Sequence, residues 1–269
     1  MPKRNVLDRF VPLILILTVV LAFFVGFLWQ KILTLEKNAK SGTSTTATNT
    51  TQTPPSQPIV SLDKIKALFA NKDLITFGDA DRKVLFIEVS DPSCPFCHAA
   101  AGLSPNVNAQ LGAQFKLVSQ GGTYVAPVPE MEKLVNSGKA SFVYIYFPGH
   151  GNGEMATKAL YCANEQGKFW EVHNQLMTDA GYNLLNNTVK SDKSQSGTLA
   201  NFLKSVFDPT QMKSCLDSGK YDARLTEDTQ IATDLGVSGT PGFFINTVNF
   251  PGAVSYKDME SAVNSALGS

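Results

Sequence analysis

Cys94 and Cys97, with two residues between them, follow the apolar run 84–89 and stand at the start of a segment that can be helical. At such a helix start two sulfurs can close a small disulfide, and the unpaired N–H groups of the first turn favour a thiolate on the first of them. Cys94 is therefore the expected nucleophile. Cys97, one turn further in, is less exposed and suited to resolving a mixed disulfide by attacking Cys94 from within the protein. A zinc knuckle is the rival chemistry, since half of a tetrathiolate site has this local spacing and His98 adjoins it. Tetrahedral zinc needs four ligands. The other two cysteines, Cys162 and Cys215, are far apart, and neither His150 nor His173 stands at ligand spacing. The pair reads as a redox couple with no metal ligand set and no cofactor beyond its own sulfurs.

The elements that must position this pair can be traced along the chain. Residues 61–70 have an amphipathic helical pattern leading into 74–77, and a polar turn at 78–81 precedes a strand at 84–89. That strand is almost wholly apolar, as in one buried on both faces, yet it carries Glu88. An isolated acid in a strand ordinarily faces solvent; alternatively, a partly buried carboxyl near Cys97 could accept its proton. Residues 97–111 can be helical, shortened or kinked by Gly102, Pro105 and Gly112. Helix is expected again at 130–137, then a strand at 141–147, stopped by Pro148-Gly149-His150-Gly151. From 154 to 235 the spacing is mainly helical, and Phe169, Trp170, Val172 and Leu176 read as core. Residues 243–246 and 248–254 can pair through a tight turn, and 256–267 ends the chain as an amphipathic helix. The order implies an α/β domain with a central mixed sheet and an inserted helical subdomain at about 152–235.

Composition divides the 269 residues into three regions. Lys3, Arg4 and Arg9 precede an uncharged run from Phe10 to Trp29, long enough to span a bilayer. With no small-x-small site after the apolar core, residues 11–30 read as an uncleaved transmembrane anchor held in membrane lipid. The basic flank puts 1–10 in the cytoplasm and the rest outside. Residues 31–58 form a juxtamembrane segment and a flexible tether rich in Ser, Thr and Pro, and 59–269 the soluble domain. Lys plus Arg and Asp plus Glu both number 23, with no basic block beyond the N-terminal flank. Nucleic-acid binding therefore has no support. Four cysteines suit two disulfides in an oxidising compartment. Asn186-x-Thr188 has the form of a glycosylation sequon, a common chance triplet.

Residues 59–269 resemble the DsbA-like branch of the thioredoxin superfamily, extracytoplasmic thiol-disulfide oxidoreductases with a thioredoxin-like fold. Three anchors carry the resemblance: Phe86 through Cys97, Cys162 through Glu171, and Gly236-Val237-Ser238-Gly239-Thr240-Pro241. It implies that Glu88, six residues before Cys94, lies beneath the disulfide as a proton acceptor for Cys97. It also implies a cis peptide bond at Pro241, turning the Thr240 backbone toward an extended substrate segment. Related anchored proteins often carry a second cysteine pair, which makes Cys162 and Cys215 candidates for a structural disulfide worth roughly 2–4 kcal/mol. Pro95 and Phe96, between the cysteines, would tune the couple, but they lack the histidine of strongly oxidising members. His98 lies just outside the ring, either as a solvent-facing helix residue or as a tuner of Cys94. Extra residues at about 112–129 could form a loop over the substrate groove.

The resemblance implies a membrane-anchored enzyme introducing disulfides into secreted or surface proteins, with a membrane redox partner that recycles the active-site disulfide. The alternatives are a reductase or isomerase of the same fold, and a tethered binding or chaperone module without turnover.

Overall fold

The computed structural model of the chain describes residues 60–268. The expected cytoplasmic N-terminus, anchor and tether, 1–10, 11–30 and 31–58, lie outside the described residues. Among the described residues no helix is long and apolar enough to cross a membrane.

A first helix, α1 (Leu62–Ala70), is capped by the Ser61 side chain, which accepts the Lys64 N–H. It leads into β1 (Ile75–Phe77), a short strand not expected from the sequence, and then to β2 (Val84–Ser90). The expected helix at 97–111 is two: α2 (Pro95–Ala101) and α3 (Pro105–Gln110). Gly102 ends α2 at φ 69°, a left-handed conformation that glycine adopts at no steric cost. Pro127 opens α4 (Pro127–Asn136) at its first turn, where the missing N–H has no partner to lose, so this helix starts earlier than expected. It is followed by β3 (Ala140–Tyr146).

The helical stretch comprises α5 (Glu154–Asn164), α6 (Phe169–Leu176), α7 (Asp179–Leu184) with a π-helical turn at Leu185–Val189, α8 (Ser196–Phe202), α9 (Pro209–Asp217) and α10 (Asp222–Asp234). The chain closes with β4 (Gly242–Ile245), β5 (Val248–Pro251) and α11 (Tyr256–Leu267).

The five strands form one mixed sheet in the order β1-β3-β2-β4-β5. The central pair, β2 and β3, is parallel and in register from Val84 opposite Ala140 to Ser90 opposite Tyr146; the other neighbours are antiparallel. Every residue of β2 and β3 is buried, as befits the two strands covered on both faces. Alternation sends Leu85, Ile87 and Val89 into a core with Ile65 and Leu68 of α1 and Ala232 of α10. Val84, Phe86, Phe142, Tyr144, Phe243 and Ile245 face the opposite core, with α4, α5, α6 and α11. Helix α10 belongs to both, Leu225 in one and Ala232 in the other, so the helical run to 235 is not one self-contained insertion. Glu88 and Ser90 share the parity of Phe86 and therefore point into the larger core.

Candidate active site

Cys94 is the residue before α2, in extended conformation, and Pro95 takes the first helical position. Both thiols are free, Cys97 wholly buried and Cys94 nearly so. Their acidities move in opposite directions. Cys94 is lowered to about 6, first by its hydrogen bond with Cys97 and, against the cost of burial, by Thr240 and the backbone N–H groups of Cys97 and Phe96. Burial pushes Cys97 well up, and the neighbouring Cys94 adds to it. A shared proton between two close sulfurs produces this split: one ionises while the other holds the hydrogen bond. Cys97 Sγ also accepts the Asp91 N–H at 3.4 Å, which fixes it at the end of β2.

Glu88 is fully buried, which rules out a solvent-facing carboxylate. Neither of its oxygens has a hydrogen-bond partner, and burial raises its carboxyl to about 7. The Ser90 hydroxyl nearby draws it back in part, without hydrogen-bonding geometry. A carboxyl of that acidity is half ionised near neutral pH and can both give and take a proton there.

The segment Asp91-Pro92-Ser93 leading into Cys94 is clamped by side chains the sequence reading passed over. Asp91 Oδ1 accepts the Ser93 N–H at 2.8 Å and the Ser93 hydroxyl at 2.7 Å, while Oδ2 accepts the His150 N–H at 2.7 Å. Ser93 Oγ takes the Asn152 N–H, and Asn186 Nδ2 donates to the Ser93 carbonyl at 3.1 Å. A Cβ on Gly153 would lie 1.8 Å from Asp91 Oδ1, so glycine is what lets this loop close on the carboxylate. The clamp thus joins the redox loop to the β3–α5 turn and to the π-helical turn. Asn186 also bonds Asn152 and the Tyr182 carbonyl, so its amide is committed to structure in the apparent sequon. Asp followed two residues later by Ser is an Asx-turn pattern, the signal in the sequence that pointed here.

His98 corrects the sequence reading. Its ring is fully buried rather than solvent-facing, with Nε2 at 2.8 Å from the Pro92 carbonyl and Nδ1 at 2.9 Å from Ser104 Oγ. Nδ1 also lies 3.1 Å from the Met177 carbonyl, to which the Ser104 hydroxyl donates at 2.5 Å, so both ring nitrogens face acceptors. Burial lowers its pKa to about 4, keeping the ring neutral. His98 reaches the redox loop through the Pro92 carbonyl, and no contact joins it to the Cys94 sulfur.

On the far side of Cys94, the Thr240–Pro241 bond is cis, and Cys94 Sγ donates to the Thr240 carbonyl at 3.4 Å. Pro241 is buried and Thr240 half-buried. Thr240 Oγ1 is buried and unpaired beside Gly149, where a Cβ would sit at 1.8 Å. Phe96, 40% exposed, is the motif residue that faces outward. The segment 112–129 folds as two 3-10 turns, Ala113–Phe115 and Val118–Gln120, with Leu117 bridged to Tyr124. It sets Phe115 edge-on to Phe96, ring centres 5.5 Å apart, and Tyr124 behind Phe115 at 5.6 Å. Pro95 and Phe96 are thus at the surface beside Cys94.

Cys162 of α5 and Cys215 of α9 are joined in a disulfide, 53 residues apart in sequence. His150 and His173 do not converge on the thiols: His150 is exposed, and His173 is buried against Phe169.

Residues 128–265, about half of the chain, match the family described as Thioredoxin. Among curated proteins, the Na(+)/H(+) antiporter NhaA 3 of Salinispora tropica is 25% identical over 196 residues, 71% of this chain and 24% of the antiporter. The antiporter NhaA 1 of Mycolicibacterium vanbaalenii is 24% identical over 201 residues, 74% of this chain and 27% of that protein. The chain therefore spans about a quarter of the length of these relatives. Among solved structures, oxidised BdbD from Bacillus subtilis aligns with a TM-score of 0.55 at 17% identity, over 74% of this chain and 95% of that one. Wolbachia pipientis α-DsbA1 aligns at 0.56 and 19%, over 76% and 96%. The catalytic domain of Proteus mirabilis ScsC aligns at 0.52 and 18%, over 78% and 99%. These likenesses establish the fold.

Proposed function

The chain belongs to the thioredoxin family, and from that premise we propose that it is a protein thiol-disulfide oxidoreductase working through Cys94 and Cys97 in the oxidising direction. The observation that carries this reading is the opposed acidity of the two thiols, Cys94 lowered to about 6 and Cys97 raised. A substrate thiolate attacks Cys94 Sγ of the disulfide, the Cys94–Cys97 bond breaks, and its electron pair leaves with Cys97. Glu88 supplies the proton that Cys97 takes up. A second substrate thiolate then attacks the substrate sulfur of the mixed disulfide. Cys94 departs as a thiolate, the substrate leaves with a new disulfide, and the enzyme holds the two electrons.

The low pKa of Cys94 favours that last departure, and it pushes the couple toward oxidation. Against an ordinary thiol near 9, a pKa of about 6 stabilises the reduced enzyme at pH 7 by about 1.4 kcal/mol, which makes the couple about 30 mV more oxidising. The cis Thr240–Pro241 loop lies against Cys94 and offers backbone to an extended substrate. Pro95, Phe96 and the Phe115 ring form the surface such a chain would cross.

An extracytoplasmic setting fits the reading. The Cys162–Cys215 disulfide belongs in an oxidising compartment, and the uncharged run 10–29 would hold the domain at a membrane. There the substrates are thiols of secreted or surface proteins, and a membrane redox partner would draw the electrons off Cys94 and Cys97. The test is oxidation of a reduced, unfolded protein with several cysteines in glutathione buffer. Disulfides should form faster with catalytic amounts of this chain, and a rate equal to that of the buffer alone would refute the proposal.

A further inference from the structure

Four polar side chains on one buried face of the sheet have atoms with nothing to pair with. Glu88 contributes both carboxyl oxygens, and Ser90, two residues along β2 and hence on the same face, contributes its hydroxyl. Tyr144 stands opposite Glu88 on β3 and Tyr146 opposite Ser90, and their hydroxyls are unpaired as well. Native proteins rarely leave adjacent buried groups unsatisfied, and a redox or catalytic role is one of the recognised reasons that they do.

Cys97 closes the row. Its sulfur accepts the N–H of Asp91, the residue after Ser90, which sets it at the end of β2 beside the Ser90 side chain. Ser90 thus stands on β2 between Glu88, two residues back on the same face, and Asp91, whose N–H meets Cys97, and its hydroxyl is committed to no other partner. We propose that the Ser90 hydroxyl relays the proton between Cys97 Sγ and the Glu88 carboxyl. The relay rests on the oxidoreductase reading and deepens it.

In the oxidising direction the Cys94–Cys97 bond breaks and its electron pair stays on Cys97. Ser90 gives its hydroxyl proton to that sulfur and takes one from Glu88, which ends as a carboxylate while Ser90 is unchanged. In reverse, the Cys97 proton passes through Ser90 to the Glu88 carboxylate as Cys97 attacks the mixed disulfide at Cys94, and the substrate leaves as a thiolate. A hydroxyl suits the role because it donates and accepts at once. Tyr144, whose phenol burial holds far above neutrality, can steady the carboxylate as a donor without competing for the proton. The other titratable groups facing the relay are Cys94 before α2, Asp91 just after β2, Tyr124 from the 112–129 segment and Tyr161 of α5.

The experiment forms a mixed disulfide between Cys94 of the full chain and a cysteine peptide, then follows peptide release by Cys97 from pH 5 to 9. In the wild type, release should rise through an inflection near 7, where Glu88 becomes able to accept the proton. Ser90→Ala should slow release about tenfold at pH 7 and erase that inflection, with alkylation of Cys94 keeping its half-point. In a Glu88→Gln background, Ser90→Ala should cost nothing further. Undiminished release in Ser90→Ala, or full additivity with Glu88→Gln, overturns the relay. A Ser90→Ala chain that fails to fold overturns it too, since an unpaired hydroxyl has no structural bond to lose. Failure of the wild type to release peptide would instead remove the oxidoreductase reading itself.

Discussion

Two cysteine pairs in one domain have met opposite fates. Cys94 and Cys97 are three positions apart at the start of α2, free, and set against groups that lower one acidity and raise the other. Cys162 and Cys215 lie 53 residues apart and tie α5 to α9. Cys162 is packed among the apolar side chains of the larger core, with Cys215 half-buried at its edge. On the proposed reading the first pair offers a thiolate, with a substrate-facing loop beside it and a proton acceptor behind it; the second has a long loop to close. Turnover follows from the surroundings of a sulfur pair, and stability from the length of chain it bridges.

The largest effect that should separate the pairs is on turnover. Cys94→Ser should abolish disulfide exchange, a loss of about a thousandfold or more in rate, because Cys94 is the sulfur that meets the cis-proline loop. The double variant Cys162→Ala/Cys215→Ala should exchange within about twofold of the wild-type rate. Comparable losses in both would erase the distinction. In stability the ranking reverses. Removing the Cys162–Cys215 bond should cost about 2–4 kcal/mol in denaturant unfolding, with the reduction potential of the first pair unmoved.

Glu88 sharpens the comparison through pH. Its carboxyl is at about 7 in the fold against an ordinary 4.5. The folded chain therefore binds the extra proton between these values, so this group's contribution is intact below about pH 4.5 and lost as the pH rises through 7. The loss amounts to about 3 kcal/mol. Glu88→Gln should match the wild type at pH 4 and exceed it in stability at pH 8, and a variant less stable at both would show a structural carboxyl. The smallest expected effect is at the clamp. Asn186→Ala loses the bonds to the Ser93 and Tyr182 carbonyls and should cost about 1–2 kcal/mol, with the alkylation half-point of Cys94 moving upward as the loop loosens. An unchanged half-point would confine Asn186 to stability.

The legible and illegible parts of the molecule divide on physical grounds. The buried character of β2, the presence of β3 and the helical spacing of α5 and α6 could be read because apolar runs and periodicity are local. Glu88 stood out because an acid interrupts an apolar strand. The edge strand β1 was missed: three residues that pair with β3 on one side carry little signal of their own. His98 defeated local reading as well. A histidine next to the motif could be read either as solvent-facing or as a tuner of Cys94, and its ring is instead held by Pro92, Ser104 and Met177, the last 79 positions away. Asp91, Asn152 and Asn186 form their clamp across three distant segments. No spacing rule joins such residues.

The central claim is that the Cys94 and Cys97 couple is built to oxidise, and its reduction potential tests that most directly. Equilibrating the chain against glutathione buffers, with Cys162 and Cys215 followed separately by mass, should give a value near about −120 mV. A value near about −270 mV, that of a thioredoxin reductant, would contradict the account and reverse the direction of electron flow.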